Sequence, residues 1–158
     1  MTLDDIDLKI LELLCEDGRL SHAAIAKEID MTGPAVYARV QRLEREGIIK
    51  GYTVLLNPDK IGRGLAAFIR VVIQEVEEEV QRFEQFVLSE PQILECHDVT
   101  GEDSYILKVR TDTPQTLRGL LGKLRMLAGV THTITSIVLT TVKEENIRGP
   151  QLSVAKGK

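Results

Sequence analysis

The apolar residues change their period partway along the chain, and that change limits the folds open to it. Up to Leu43 they recur every three or four residues, the spacing of helices with one buried face. From Leu65 onward they fall into short β-rich runs separated by two more helical stretches. The order there is strand, helix, strand, strand, helix, strand. Between the two regions lies NPDKIGRG, residues 57–64, with one Pro, two Gly and no period. A chain of 158 residues divided in this way is expected to be α+β and to form two small domains. The expected boundaries are 1–56, a linker at 57–64, a second domain at 65–145 and an aperiodic tail at 146–158.

The first region reads as three helices and a wing. Helix one is expected from Asp4 to Cys15, with Ile6, Ile10, Leu13 and Leu14 inward. Asp4, Asp5 and Asp7 crowd its first turn, where the helix dipole favours negative charge. Gly18 is the expected stop. Ser21 caps helix two, and Leu20 and Ile25 have the spacing of a hydrophobic staple. Thr32 caps helix three, with Pro34 in its first turn, where a missing N–H does no harm. Val36, Val40 and Leu43 form its buried stripe, and Gly47 ends it. IIKGYTVLL, residues 48–56, is expected to fold as a two-stranded wing around Lys50 and Gly51. Together these elements make a winged helix-turn-helix.

A helix that enters a DNA major groove needs one side docked on its own domain and the other small or polar. Helix three offers Ala35, Ala38, Arg39 and Arg42 away from its stripe, and the two arginines are expected to reach base edges or phosphates. Thr32 and Gly33 present a hydroxyl and backbone N–H groups at its start, which suits a phosphate. Tyr37 flanks the same surface. The candidate DNA-contacting residues are therefore Ser21, Thr32, Gly33, Pro34, Ala35, Tyr37, Ala38, Arg39 and Arg42. The formal net charge is -4 and the pI about 5.5, so this expectation rests on local charge. Between Thr32 and Lys50, Arg39, Arg42, Arg45 and Lys50 outnumber Glu44 and Glu46. On a lone amphipathic helix two outward arginines are an ordinary solvated face; the caps, the turn and the wing together point to double-stranded DNA.

The second region reads as a ferredoxin-like βαββαβ unit. Its first strand, residues 65–74, is apolar on both faces apart from Arg70. Val76, Val80, Phe83 and Val87 are expected to face inward from the first helix, while Glu75, Glu77, Glu78 and Glu79 make a solvated face. Residues 93–100 and 104–111 are strands joined by Gly101-Glu102-Asp103. Thr113 and Pro114 open the last helix, with Leu117, Leu120, Leu121 and Leu124 as its stripe and Gly129 as its end. Residues 130–142 close the sheet. Two helices cover only one face, yet the first strand offers Phe68 and Val72 on the other. A second copy of the sheet is the simplest cover, which implies a homodimer.

Other function classes fit the sequence poorly. Cys15 and Cys96, the only cysteines, form no pairing framework, which favours a reducing cytoplasm. No stretch has the length of a membrane span, and the acidic opening MTLDDIDLK does not read as a signal peptide. An enzyme on this scaffold, such as an acylphosphatase, would need a phosphate cradle or a nucleophile–base pair. Cys96-His97-Asp98 is adjacent in sequence, but successive strand residues point to opposite faces. His22, His97 and His132 lack metal-ligand spacing, and no cofactor is expected.

At this point the residues resemble the Lrp/AsnC (leucine-responsive, or feast/famine) regulators. The resemblance lies in LDDIDLKILELL, in SHAAIAKEIDMTGPAVYARVQRLEREGIIKGYTVLLNP and in ILECHDVTGEDSYILKV, and runs from Leu3 to about Lys143. It implies transcription regulators that bind DNA as dimers or larger rings, up to octamers. It also implies an ACT-like second domain that binds amino acids at contacts between dimers. By the same resemblance the pocket is lined by Thr100, Gly101, Glu102, Asp103, Ser104 and Tyr105, with Thr131, Thr133 and Thr135 from the last strand. A Gly-containing turn can indeed offer N–H groups to a carboxylate, and Glu102 or Asp103 can pair with an ammonium. Many members carry an acidic residue where this chain has Ser104, so leucine is not carried over as the effector. A ligand-independent, DNA-organising protein on the same scaffold remains the alternative.

Overall fold

Three helices close around a small aliphatic core at the start of the chain. In the computed structural model, which describes residues 3–144, the first of two units contains the chain up to Leu55. Helix α1 (Asp5–Glu16) opens on a capping box. The Asp4 carboxylate accepts from the Asp7 N–H at 2.7 Å, and Asp7 accepts from the Asp4 N–H at 3.2 Å. Leu8, Ile10 and Leu11 are buried, whereas Ile6, expected inward, is exposed. Gly18 is not the left-handed stop expected; Asp17 takes the C-cap position and its carboxylate accepts from the Arg19 N–H. Helix α2 (His22–Glu28) is capped by the Ser21 hydroxyl, which accepts from the Ala24 N–H at 3.1 Å. The chain turns through Asp30, whose φ is 52°, while the Met31 N–H bonds back to the Ala26 carbonyl at 2.9 Å. Helix α3 (Gly33–Arg45) follows. Thr32 sits at its N-cap, but the hydroxyl makes no capping bond. Val36, Val40 and Leu43 are buried against Ile10, Leu11, Ile25 and Ala26, as the periodicity predicts.

The wing does not form as predicted. Residues 48–56 contain no strand, and Tyr52, Val54, Leu55 and Leu56 are exposed. Only Ile49 of this segment packs on the core. A two-stranded ribbon with neither face covered is marginal in water, so alternation alone cannot hold it.

The second unit spans Leu56–Val142. Its elements are β1 (Leu65–Ile73), α4 (Glu77–Ser89), β2 (Ile93–Asp98), β3 (Tyr105–Thr111), α5 (Pro114–Arg125) and β4 (Val130–Ile137). The antiparallel sheet has the order β2-β3-β1-β4, so β1 is bonded on both sides. Ala67, Ile69, Val71 and Ile73 of β1 pack on Phe83 and Val87 of α4 and on Leu117, Leu120 and Leu124 of α5. The Thr113 hydroxyl caps α5, accepting from the Thr116 N–H. Val76, expected in the core, is the exposed N-cap of α4. Strand β4 stops at Ile137, short of the expected 142. Buried Glu90 accepts from Lys123 at 2.8 Å, and that bond holds its carboxyl below the ordinary carboxylate range.

Gly129 lies beyond the end of α5 rather than at it, with a φ of 87°. A Cβ there would press on the Glu79 carboxylate. Gly129→Ala is therefore expected to destabilise the protein by about 1–2 kcal/mol, read by denaturant titration.

Candidate DNA-binding face and effector loop

The arginines of α3 are not where periodicity alone put them. Arg39 Nη1 donates to Asp7 Oδ1 at 2.8 Å and to Asp4 Oδ2 at 2.7 Å. Arg42 Nη2 donates to Asp7 Oδ2 at 2.6 Å. Asp7 is 1% exposed, so two guanidiniums converge on a buried carboxylate. The bond from Arg39 also holds the Asp4 carboxyl below its ordinary range. This corrects the expectation that Arg39 and Arg42 are left free for a duplex. They join α3 to α1, because a buried carboxylate demands cationic partners more strongly than water rewards an exposed arginine.

The outward surface of α3 is a different stripe. Pro34, Ala38, Gln41 and Arg45 recur at intervals of four, three and four residues, opposite Val36, Val40 and Leu43, and all four are exposed. Arg45 and Lys50 make no ion pair among the described residues. Thr32 and Tyr37 are exposed at the same surface, and the Tyr37 ring meets His22 edge-on, with centroids 5.3 Å apart. Ala35 and Gly33 are half-buried, and the Ser21 hydroxyl is occupied by its cap. Sequence reasoning missed Gln41 and Arg45. The signal was present: Asp7 shares a helix face with Ile10, Leu11 and Leu14, and a carboxylate there requires a basic neighbour from another helix.

The residues expected to line an effector pocket divide into two groups. Thr100, Gly101 and Glu102 form an exposed turn, in which Gly101 has a φ of 128° that other residues rarely adopt. Asp103 pairs with Arg70 at 3.4 Å. Ser104 is occupied with the backbone: its N–H bonds the Val71 carbonyl, and its hydroxyl accepts from the Ile73 N–H at 3.1 Å. Tyr105 belongs to the core. Its ring packs on Phe83 with centroids 4.7 Å apart, and its hydroxyl donates to Glu84 at 3.0 Å. Burial, with Glu84 beside it, pushes that phenol up to about 12. Thr131 sits at a bulge in β4 and donates to the Val72 carbonyl. Thr133 accepts from Arg125 Nε at 3.1 Å, and the Thr135 hydroxyl is buried without a partner. Thr133 and Thr135 pair with Val71 and Ile69, so they share the helix-covered side of the sheet.

The opposite side of the sheet is open in a single chain. Phe68 is 43% exposed and Ile134 37% exposed, beside Arg70 and His132. Lys108 bridges to Glu95 at 3.0 Å on this side. Cys96 pairs in register with Leu107 and packs on the core, where burial pushes its thiol up, while His97 lies opposite Ile106 and is exposed. Among the described residues, no three His, Cys, Asp or Glu side chains are grouped to hold a metal. No helix among them is long and apolar enough to cross a membrane.

Comparison with known proteins places both units. Residues 3–50 match the winged helix-turn-helix DNA-binding family, and residues 66–147 match the Lrp/AsnC ligand-binding domain. The chain is 40% identical over 148 residues to the leucine-responsive regulatory protein of Escherichia coli, covering 91% of this chain and 89% of that protein. A transcriptional regulator from Neisseria meningitidis, solved in complex with L-methionine, is 33% identical. It has a TM-score of 0.86 and covers 90% of this chain and 94% of its own. LrpC of Bacillus subtilis is 28% identical with a TM-score of 0.83, covering 92% and 100%.

Asp7→Ala removes the carboxylate on which α1 and α3 are tied. It is expected to cost about 2 kcal/mol of stability in denaturant, less than a fully enclosed pair would, because both guanidiniums remain within reach of water.

Proposed function

The chain belongs to the Lrp/AsnC family of DNA-binding transcription regulators with an amino-acid-binding domain, and on that premise we propose how this member works. It acts in the cytoplasm as a homodimer that assembles further into tetramers or octamers. It reads specific sites in double-stranded DNA through α3, and it is modulated by an α-amino acid at the loop between β2 and β3. It is a regulator and not an enzyme.

The observation that carries the DNA reading is the outward stripe of α3. It is small at Ala38 and polar at Gln41 and Arg45, and it is held to its domain by a buried stripe and by the two arginines that converge on buried Asp7. Such a helix can approach base edges closely without exposing core residues. Two of its three arginines are neutralised by Asp4 and Asp7, so each copy brings little free positive charge. Affinity then depends on linking two readers in one dimer.

The effector reading is supported by the exposed Gly101 turn, whose backbone N–H groups can receive a carboxylate, and by Glu102 beside it for an ammonium. Ser104 and Tyr105 support this turn from below rather than lining it. The dimer reading is supported by the open sheet face around Phe68 and Ile134. An apolar centre with charged margins suits a second copy of the same face.

A thermal-shift panel of amino acids, with leucine and methionine first, tests the effector. A ligand at about 100 times its dissociation constant adds about 2.7 kcal/mol. Gly101→Asp is expected to abolish the shift, since it places a carboxylate and a side chain in a turn shaped by glycine. A panel in which no amino acid raises the midpoint would end the effector proposal and favour ligand-blind DNA coverage. Phe68→Glu buries a charge at the proposed dimer face, so sedimentation should show the full-length variant as a monomer. An unchanged oligomer would place the interface elsewhere.

A further inference from the structure

Gln41 stands at the middle of the exposed α3 stripe, and its side chain is already oriented. Its Nε2 donates to Glu44 Oε2 at 2.9 Å. The other oxygen of Glu44 accepts from the Tyr52 hydroxyl at 2.9 Å. This chain of contacts fixes the polarity of the amide. Turning it over would set the Gln41 oxygen against the Glu44 carboxylate, two acceptors face to face. Nε2 keeps a second N–H beyond the bond to Glu44, and with the carbonyl oxygen it gives the planar amide one donor and one acceptor to offer.

That donor and acceptor pair matches one base edge in the major groove. Adenine offers N7 as acceptor and N6–H as donor, and a glutamine amide bonds both at once. Guanine presents two acceptors there and does not satisfy the amide oxygen. The neighbours of Gln41 on the stripe narrow the choice further. Ala38 and Pro34 offer only apolar contact, which suits a thymine methyl group. Arg39 and Arg42, which could have read guanine, are committed to Asp4 and Asp7. Arg45 lies in the last turn of the helix, exposed, where it suits a phosphate.

The geometry points to Gln41 as the specificity-determining residue for DNA, reading the adenine of one A·T pair in each half-site, with Glu44 and Tyr52 as the residues that position its amide. This rests on the reading that α3 enters the major groove.

The test uses the full-length protein and selection from a pool of randomised duplexes. The wild type is expected to prefer A·T at one position per half-site by about tenfold or more. Gln41→Arg should move the preference at that position to G·C and leave the others unchanged. Tyr52→Phe keeps every charge in place and should lower the A·T preference at that same position a few-fold. The readout is the preference ratio at one position, because a general loss of fold would lower all positions alike. If Gln41→Arg selects the same bases as the wild type, Gln41 is not the reader. Ala38→Asp separates that failure from failure of the underlying premise. A carboxylate on the stripe must abolish DNA binding if α3 lies in the groove. Unchanged binding by Ala38→Asp would overturn the groove reading and this proposal with it.

Discussion

A single buried carboxylate decides how the DNA-binding domain presents its third helix. Asp7 is enclosed, and an enclosed carboxylate without partners would cost several kcal/mol. Three donors converge on it: the guanidiniums of Arg39 and Arg42 and the backbone N–H of Asp4. Asp4 adds a second carboxylate for Arg39 and closes the box at the start of α1. The helices thus meet through matched charges as well as through Ile10, Val36 and Leu43. Hydrophobic contact alone would leave α3 some freedom to roll about its axis, because aliphatic packing tolerates repacking. A cluster of charged hydrogen bonds with fixed geometry tolerates much less. One side of α3 is thereby committed inward, and the stripe from Pro34 to Arg45 is the side that remains.

The same interaction bears on the acidic balance of the chain. A net charge of -4 is unusual for a DNA-binding protein, and the local surplus of arginine on α3 shrinks further once two of three are paired. Nonspecific attraction to phosphate is weak under these conditions. The proposed function meets this with contacts to base edges for discrimination and with more than one reader on the same duplex for occupancy.

Much of this was legible in the sequence where one element determined its own environment. The stripe of Val36, Val40 and Leu43, the caps at Ser21 and Thr113, and the βαββαβ order follow from local spacing and capping chemistry, and each stands in the structure. What was not legible depended on partners far along the chain. Asp4 and Asp7 looked like residues complementing a helix dipole, and Arg39 and Arg42 like free cations; only the folded chain brings these pairs together across more than thirty residues. The wing failed for the opposite reason, since alternation at 48–56 supplied a pattern but no cover for Val54, Leu55 and Leu56, which are exposed. In the second domain the family resemblance implies a pocket role for Tyr105, yet strand alternation turns it into the core beside Phe83. A residue next to a turn need not face the same way as the turn.

The turn between α2 and α3 carries one more implication. Asp30 adopts a left-handed conformation uncommon for a side chain other than glycine, and the Met31 N–H is tied back to α2. With α1 clamped to α3 from the other side, α3 is tied by hydrogen bonds to α1 and through its entry turn to α2. In the proposed assembly, a signal from the effector domain would then act on the spacing between whole readers, altering which arrangement of sites on a duplex can be engaged at once, while the preference of each reader for its own bases stays the same.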